Sequence, residues 1–179
     1  TLAAAPEAFH GAVAAGILGV GSVILGSADV AGDMLDDAAT RIESGASPED
    51  AALEIAREHK SAGKFIPSFG HPIHHPVDPR AVRILELADE RQVSGRHVNA
   101  LRAFPAAIEE VWGKPLPMNL QGPMAAVLLD LDFPKAAIRG IPILARTIGL
   151  IGHLNEEIER PIGFLLAHHG EEAIEYDGE

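Results

Sequence analysis

The sequence predicts an all-α protein, and three observations support this fold class. Apolar residues recur at helical spacing, and no segment shows the alternation of apolar and polar residues that is typical of a half-buried strand. Helix-capping residues mark several starts, and clusters of proline and glycine separate the periodic segments. A chain of 179 residues can bury a sizeable core, so we expect a single helical region over residues 1–179.

The first element is an apolar stretch over residues 9–28 that carries no charged side chain. Its length would suffice for a bilayer span, but it lacks aromatic and basic residues at its ends. It also lacks the charged start of a signal peptide. Gly11, Ala15 and Gly19 recur four residues apart, a spacing that lets another helix approach closely. We therefore expect a helix that is buried on all sides, of a kind often found at a subunit interface.

Two helices are predicted between this stretch and the middle of the chain. Apolar residues at helical spacing from Val30 to Ile42 indicate an amphipathic surface helix. Ser47 is a predicted N-cap, followed by Pro48 at the first helical position of a helix that runs to about Ala62.

The second half of the chain shows a further series of helical segments, separated at residues 113–117 by a glycine and proline break. We expect Ser94 to cap one of these helices. The predicted helices cover residues 79–92, 94–111, 119–132, a segment from 133 that includes 141–153, and a short tail at 171–174.

Composition excludes several classes of function. The formal net charge of −12 argues against a surface for duplex nucleic acid, which needs clustered lysine and arginine. The chain has no cysteine, which excludes disulfides and thiolate chemistry and fits a reducing cytoplasm. We therefore expect a cytoplasmic protein with neither a nucleic acid nor a membrane as its partner.

The candidate functional centre is the segment over residues 68–80, which is rich in proline and histidine. Three imidazoles, a carboxylate and a guanidinium lie within it. The segment could be a solvated surface loop. It could also bind an organic anion, because a histidine can polarise a carbonyl oxygen while Arg80 holds a carboxylate. A metal site is the third possibility, but the prolines disrupt the helical register that would align the ligands, and we expect no metal. Its ligands would be His71, His74, His75 and Asp78.

One spacing in this segment resembles a known family. The order Phe69-Gly70-His71, followed nine residues after the histidine by Arg80, resembles the citrate synthase and citryl-CoA lyase family. Residues 16–35 look like that family's glycine-rich helix and H-G-G-A turn. Later matches, in order, are Asn119, the segment 145–149 around Arg146, and Arg160-Pro161. The resemblance covers nearly the whole chain and implies the carboxyl-terminal part of such a protein, with the family's amino-terminal helices apparently absent.

The resemblance implies a multi-helical, helix-packed homodimer that acts on a coenzyme A thioester. The implied reaction converts citryl-CoA to acetyl-CoA and oxaloacetate, or the reverse, so the partners would be an acyl-CoA and a dicarboxylate or 2-oxo acid. By the same likeness His71 would be catalytic. Arg80 and Arg146 would bind carboxylates, with Arg160 doing so across the dimer interface. Residues 64–80 would form the substrate and coenzyme A loop, in which the cofactor-binding residues would be Lys64, Phe65, Ile66, Pro67, Ser68 and Gly70.

Two positions depart from the family pattern. Leu25 stands where the H-G-G-A turn has its histidine, and Gln121 stands where an N-x-D element has its carboxylate base. An amide cannot accept a proton at neutral pH. If the chain is an enzyme, Asp78 is the nearby carboxylate that could serve as base. The alternative is a catalytically impaired relative that binds coenzyme A or dicarboxylates.

Overall fold

The computed structural model describes residues 1–178, with all side chains except those at 22 and 23; residue 179, the end of the predicted region, lies outside it. Its α-helices are α1 (Phe9–Leu25), α2 (Ser27–Glu43), α3 (Pro48–Ser61), α4 (Pro79–Glu90), α5 (Arg96–Trp112), α6 (Gln121–Asp130), α7 (Gly140–Glu159) and α8 (Gly163–Ala173). Short 3₁₀ turns lie at Leu2–Ala4 and Lys135–Ala137. Within residues 1–178 the only strand-like pairing is an isolated antiparallel bridge between Phe69 and Met118. The all-α prediction is confirmed.

The helices form two compact units. One comprises Leu25–Gly140, and the other comprises Thr1–Ile24 together with Ile141–Glu179. In the Leu25–Gly140 unit, α2, α3, α5 and α6 pack around a common core. The largest fully buried apolar side chains of that core include Leu35, Ile55, Leu101, Phe104 and Ile108. This unit carries the candidate site.

The start of α3 follows the sequence prediction. Ser47 Oγ accepts a hydrogen bond of 3.0 Å from the amide of Asp50, and Pro48 is the first helical residue. The hydroxyl in turn donates to Asp50 Oδ2 at 2.7 Å. Ser61 ends the helix, one residue before the predicted end at Ala62.

The predicted cap of α5 is wrong. Ser94 Oγ bonds Asp89 Oδ1 at 2.6 Å and does not cap the helix. The carboxylate of Asp130, at the end of α6, takes its place and accepts three amide hydrogen bonds of 2.7–3.0 Å. The donors are Gly95, His97 and Val98. A full negative charge stabilises a helix N-terminus more than a hydroxyl does, and here it comes from a residue distant in sequence.

The tail helix is longer than predicted. α8 spans Gly163–Ala173, whereas the sequence indicated only residues 171–174. Its first amides, from Ile162 and Gly163, donate to the carboxylate of Glu157 at 2.9 Å. This cap comes from the end of α7, which simple capping signals in the sequence do not reveal.

The apolar amino-terminal stretch does not form one continuous helix. Gly21 has φ 63° and ψ −178°, which interrupts α1. The chain does not by itself bury this stretch on all sides, because the side chain of Leu18 is 81% exposed; burial at a subunit interface stays a prediction. Close helix approach does occur, but at Gly16, where a Cβ would lie 2.5 Å from the Leu150 side chain of α7.

The run Lys135–Glu159, which comprises the second 3₁₀ turn and α7, is long and apolar enough to cross a membrane. This criterion uses length and composition alone and is weak support for a span. The apolar helical segment Phe9–Gly21 is shorter than the length needed for a span. Apolar side chains on α7 and α8 are nevertheless largely uncovered in their unit, including Ile148, Phe164 and Leu166.

Candidate functional site

The segment between α3 and α4 is an ordered loop, because hydrogen bonds tie its backbone to the segment that precedes α6. The amide of Gly70 donates to Pro117 O at 2.8 Å, and the amide of Asn119 donates to Ser68 O at 2.7 Å. The side-chain amide of Asn119 donates to Gly70 O at 3.0 Å. Phe69 packs its ring against Phe104 in the core. A fully solvated loop, one of the three possibilities, is therefore wrong for this part of the segment.

His71 and Arg80 lie side by side at the end of this anchored loop. Nδ1 of His71 accepts hydrogen bonds from the amides of Ile73 and His74, at 3.1 and 3.0 Å. A neutral imidazole carries one proton, so the proton must be on Nε2. Nε2 lies 3.2 Å from Arg80 Nη2. In this tautomer both nitrogens are donors at close range, so the contact is not a hydrogen bond, and a ligand oxygen placed beside both would supply the acceptor that they lack.

The environment of His71 keeps its ring neutral. Burial, followed by the charge of the neighbouring His74, lowers the pKa of His71 below its usual value. The ring centroids of the two histidines are 4.4 Å apart. His71 is therefore suited to donate a hydrogen bond to an oxygen near neutral pH without carrying a charge of its own.

Asp78 fixes the position of Arg80. Its carboxylate is fully buried and caps α4. Oδ1 accepts from the amide and Nε of Arg80 at 3.0 Å, and Oδ2 accepts from Arg80 Nη2 at 2.8 Å and the amide of Leu120 at 3.2 Å. The hydrogen bond from the Arg80 side chain is the main cause that lowers the pKa of Asp78 to about 2. The expectation that Asp78 serves as a base is therefore wrong: it is a positioning residue.

The structure explains why the two positions that depart from the family pattern cannot transfer protons. Leu25 is buried, and its alkyl side chain has no group that exchanges a proton. The backbone amide of Gln121 donates to Asn119 Oδ1 at 3.1 Å. The side-chain oxygen Oε1 of Gln121 is buried and has no hydrogen-bond partner among the described residues. An unpaired buried acceptor costs about 1–3 kcal/mol, so this atom is suited to receive a donor from a ligand or water.

Ser68 is a site residue whose local role the sequence did not reveal. It is buried at φ 72°, and its Oγ has no hydrogen-bond partner in the described part of the chain. The Ser68 Cβ lies 2.7 Å from where a side chain on Gly122 would begin, so only glycine allows this close approach. The loop therefore rests directly on the N-terminus of α6.

Three of the four predicted metal ligands come together. Ligand atoms of His71, His74 and Asp78 lie within 4.8 Å of one another. Both oxygens of Asp78 already accept hydrogen bonds, however, and Arg80 places a positive charge beside His71. An ion here would have to displace Arg80, so the arrangement favours an anionic or oxygen ligand over a metal.

The remaining predicted site residues are more exposed. Lys64 is exposed, and the side chain of Phe65 is 97% exposed, whereas Ile66 is buried. Arg146 and Arg160 belong to the other compact unit; both are exposed, and neither forms a side-chain ion pair within residues 1–178. The roles of Arg146 and Arg160 in binding carboxylates stay predictions.

Comparisons with known proteins identify the fold. Residues 2–162 match the family described as citrate synthase, C-terminal domain. The structure of citryl-CoA lyase from Hydrogenobacter thermophilus is 29% identical with a TM-score of 0.79, covering 96% of this chain and 64% of that one. This chain therefore spans less than two thirds of the length of that lyase. No curated protein sequence gives a significant match.

Two further structures share the fold at lower identity. Citrate synthase from Thermotoga maritima MSB8 is 21% identical with a TM-score of 0.64, covering 79% of this chain and 37% of that one. ATP citrate lyase from Methanothrix soehngenii, solved with citrate and coenzyme A, is 24% identical with a TM-score of 0.64. That match covers 80% of this chain and 24% of the other. These two likenesses concern the fold alone.

Proposed function

The chain belongs to the citrate synthase family through the C-terminal domain that it matches over residues 2–162, and on this basis we propose that it acts in carbon–carbon bond cleavage or formation at a coenzyme A thioester. The reaction would be of the citryl-CoA lyase or citrate synthase type. The observation that carries the proposal is the pair of donors, His71 Nε2 and Arg80 Nη2, 3.2 Å apart at the end of the anchored loop.

This pair matches the charge that such a reaction develops. When citryl-CoA is cleaved, the hydroxyl of the citryl group loses its proton and its oxygen becomes the carbonyl oxygen of oxaloacetate. The electrons of the broken carbon–carbon bond pass to the α-carbon of the thioester, which takes up a proton to give acetyl-CoA. His71 would donate a hydrogen bond to that oxygen, and Arg80 would hold an adjacent carboxylate. Asp78 fixes Arg80 in advance, so little reorganisation is needed when charge develops.

A second function is favoured by Leu25 and Gln121. The reaction also needs a proton transfer at the α-carbon of the thioester, and neither an alkyl group nor an amide provides it. The oxygen end of the substrate site is therefore present, while the usual groups at the thioester end are missing. The alternative is a relative that binds coenzyme A or a dicarboxylate without turning it over.

Turnover and binding assays separate the two functions. The full chain is incubated with citryl-CoA, and in a second reaction with acetyl-CoA and oxaloacetate. Turnover that falls by about 100-fold or more in His71→Ala supports catalysis. His75→Ala is the matched control, because His75 is exposed and outside the donor pair. Calorimetric binding of oxaloacetate or coenzyme A without turnover supports the binding protein, and neither binding nor turnover contradicts both functions.

The coenzyme A part of the site is proposed for residues 64–70. The exposed ring of Phe65 and the ammonium group of Lys64 would face the adenine and phosphates, while buried Ile66 and Ser68 hold the backbone in place. Coenzyme A binding that is weaker in Phe65→Ala than in the unaltered chain would support this placement. Equal affinity would contradict it.

We also propose a homodimer. The uncovered apolar side chains of α7 and α8 are what an interface between two copies would bury. Arg160, exposed just after α7, could then reach a site on the partner copy. Light scattering with size-exclusion chromatography should give twice the chain mass, and Phe164→Glu should reduce it to the monomer; a monomeric unaltered chain contradicts the proposal.

A further inference from the structure

A second polar cleft lies in the Leu25–Gly140 unit, where α2, the start of α5 and the end of α6 meet. It has a volume of about 600 Å³. His97 lines this cleft and is 4% exposed. Its Nε2 is buried and makes no hydrogen bond of ordinary length among the described residues; its one polar contact given there is Asp36 Oδ1 at 3.6 Å. A buried imidazole nitrogen with only this long contact is suited to take a ligand.

Asp130 fixes the tautomer of His97. Nδ1 lies 2.7 Å from Asp130 Oδ1, and the same carboxylate accepts the three amide hydrogen bonds that cap α5. An ionised carboxylate only accepts, so Nδ1 must carry the proton and the neutral ring has its lone pair on Nε2. A carboxylate behind one nitrogen and a free lone pair on the other is the arrangement found in histidines that bind metals.

Asp36 supplies the second ligand atom. Its Oδ1 lies 3.6 Å from His97 Nε2. Two ligands of a tetrahedral zinc ion lie about 3.4 Å apart, given the usual bond lengths, so a shift of about 0.2 Å would bring both atoms onto one ion. Waters would occupy the remaining positions. The Asp36 side chain is 37% exposed, which leaves one side of the ion open to solvent.

The charge around the cleft selects a cation. The cleft and the ion pairs at its rim together contain five carboxylates and two basic side chains. This is an excess of three negative charges when His97 is neutral. These carboxylates are Asp33, Asp36, Glu43, Asp130 and Asp132, and the basic residues are Arg96 and Lys135. This excess of negative charge would repel an inorganic anion, whereas a divalent cation would reduce it.

The two basic residues that now hold Asp36 can release it. Lys135 lies 3.2 Å from Asp36 but 3.0 Å from Asp33, and Arg96 lies 3.2 Å from Asp36 but 2.9 Å from Glu43. Each keeps a carboxylate partner when Asp36 turns to an ion. We propose that His97 Nε2 and Asp36 Oδ1 bind a divalent transition-metal ion, such as zinc, in a site separate from the His71–Arg80 pair.

Calorimetric titration of the untagged full chain with zinc chloride tests this site. One zinc ion should bind, about tenfold or more weaker in His97→Gln and in Asp36→Asn. His74→Gln is the matched control. It removes a potential ligand from the group of His71, His74 and Asp78, and it should leave the zinc affinity unchanged. No zinc binding to the unaltered chain, or a loss of binding in His74→Gln alone, overturns the proposal.

A gain in affinity provides a test that misfolding cannot mimic. Lys135→Gln removes a positive charge beside Asp36, so zinc should bind more tightly by about threefold or more. Circular dichroism checks that each variant keeps its helices. Unchanged or weaker zinc binding by a folded Lys135→Gln variant contradicts the site, as does binding of inorganic phosphate in place of zinc.

Discussion

Two buried carboxylates hold helix N-termini in the Leu25–Gly140 unit, and they prepare neighbouring groups for different ligands. Asp78 caps α4 and fixes Arg80, which stands beside the protonated Nε2 of His71. Asp130 caps α5 and accepts a hydrogen bond from the protonated Nδ1 of His97, which leaves Nε2 as an acceptor. The first arrangement presents donors to an anion or oxygen, and the second presents a lone pair to a cation. The same residue types therefore acquire different chemistry from their hydrogen-bond partners.

The comparison predicts that the Asp130 cap contributes most to stability. Asp130→Ala leaves three amides and the His97 ring without their acceptor, so the free energy of unfolding should fall by about 3 kcal/mol. Urea denaturation measures this change. Ser94→Ala, at the cap that the sequence predicted, should change stability by less than about 0.5 kcal/mol. Equal effects of the two substitutions on the free energy of unfolding would show that Asp130 is not the residue that stabilises the N-terminus of α5.

A carboxylate at position 121 should restore part of the missing chemistry. Both Asp78 and Asp130 are occupied with hydrogen bonds, so neither is free to act as a base, and Gln121 is an amide. Gln121→Asp should raise the exchange of acetyl-CoA methyl protons with deuterated water by about 100-fold. Proton NMR follows this exchange. Gln121→Glu serves as a longer control, and rapid exchange in the unaltered chain would reveal a base that these positions do not supply.

The Asp78 carboxyl should make stability depend on pH in the acid range. Its folded pKa is lowered to about 2 from a usual value of 3.8, so its contribution is complete above the usual value and is lost as the pH falls toward the folded pKa. The full contribution is about 2 kcal/mol. Denaturation series on the unaltered chain and on Asp78→Asn should converge as the pH falls from about 4 to about 2. A constant difference across this range contradicts the assignment.

Arg80→Lys should give the smallest of these effects. Lysine keeps the positive charge but loses the planar fork that bonds Asp78 and faces the ligand. Oxaloacetate should bind about tenfold more weakly, as measured by calorimetry. Arg83→Lys is the matched control, because Arg83 pairs with glutamates on the exposed face of α4. An equal loss in both variants would indicate a general effect of charge.

The sequence could predict what depends on neighbouring residues. The Ser47 cap, the helical segments and the spacing of His71 and Arg80 were all readable, because each is set by residues a few positions apart. The Asp130 cap and the pairing of Asp130 with His97 join residues more than thirty positions apart. No local pattern reports such contacts. The role of Asp78 escapes local patterns for a related reason, since its burial and its bond to Leu120 depend on the packing of α6.

The most direct test of the account is a long-range nitrogen–proton NMR spectrum of the histidine rings, recorded with and without oxaloacetate. We predict that His71 carries its proton on Nε2 and His97 on Nδ1, and that oxaloacetate shifts the Nε2 resonance of His71 while leaving His97 unchanged. His71 protonated on Nδ1, or a His71 resonance that does not respond to saturating oxaloacetate, would contradict it.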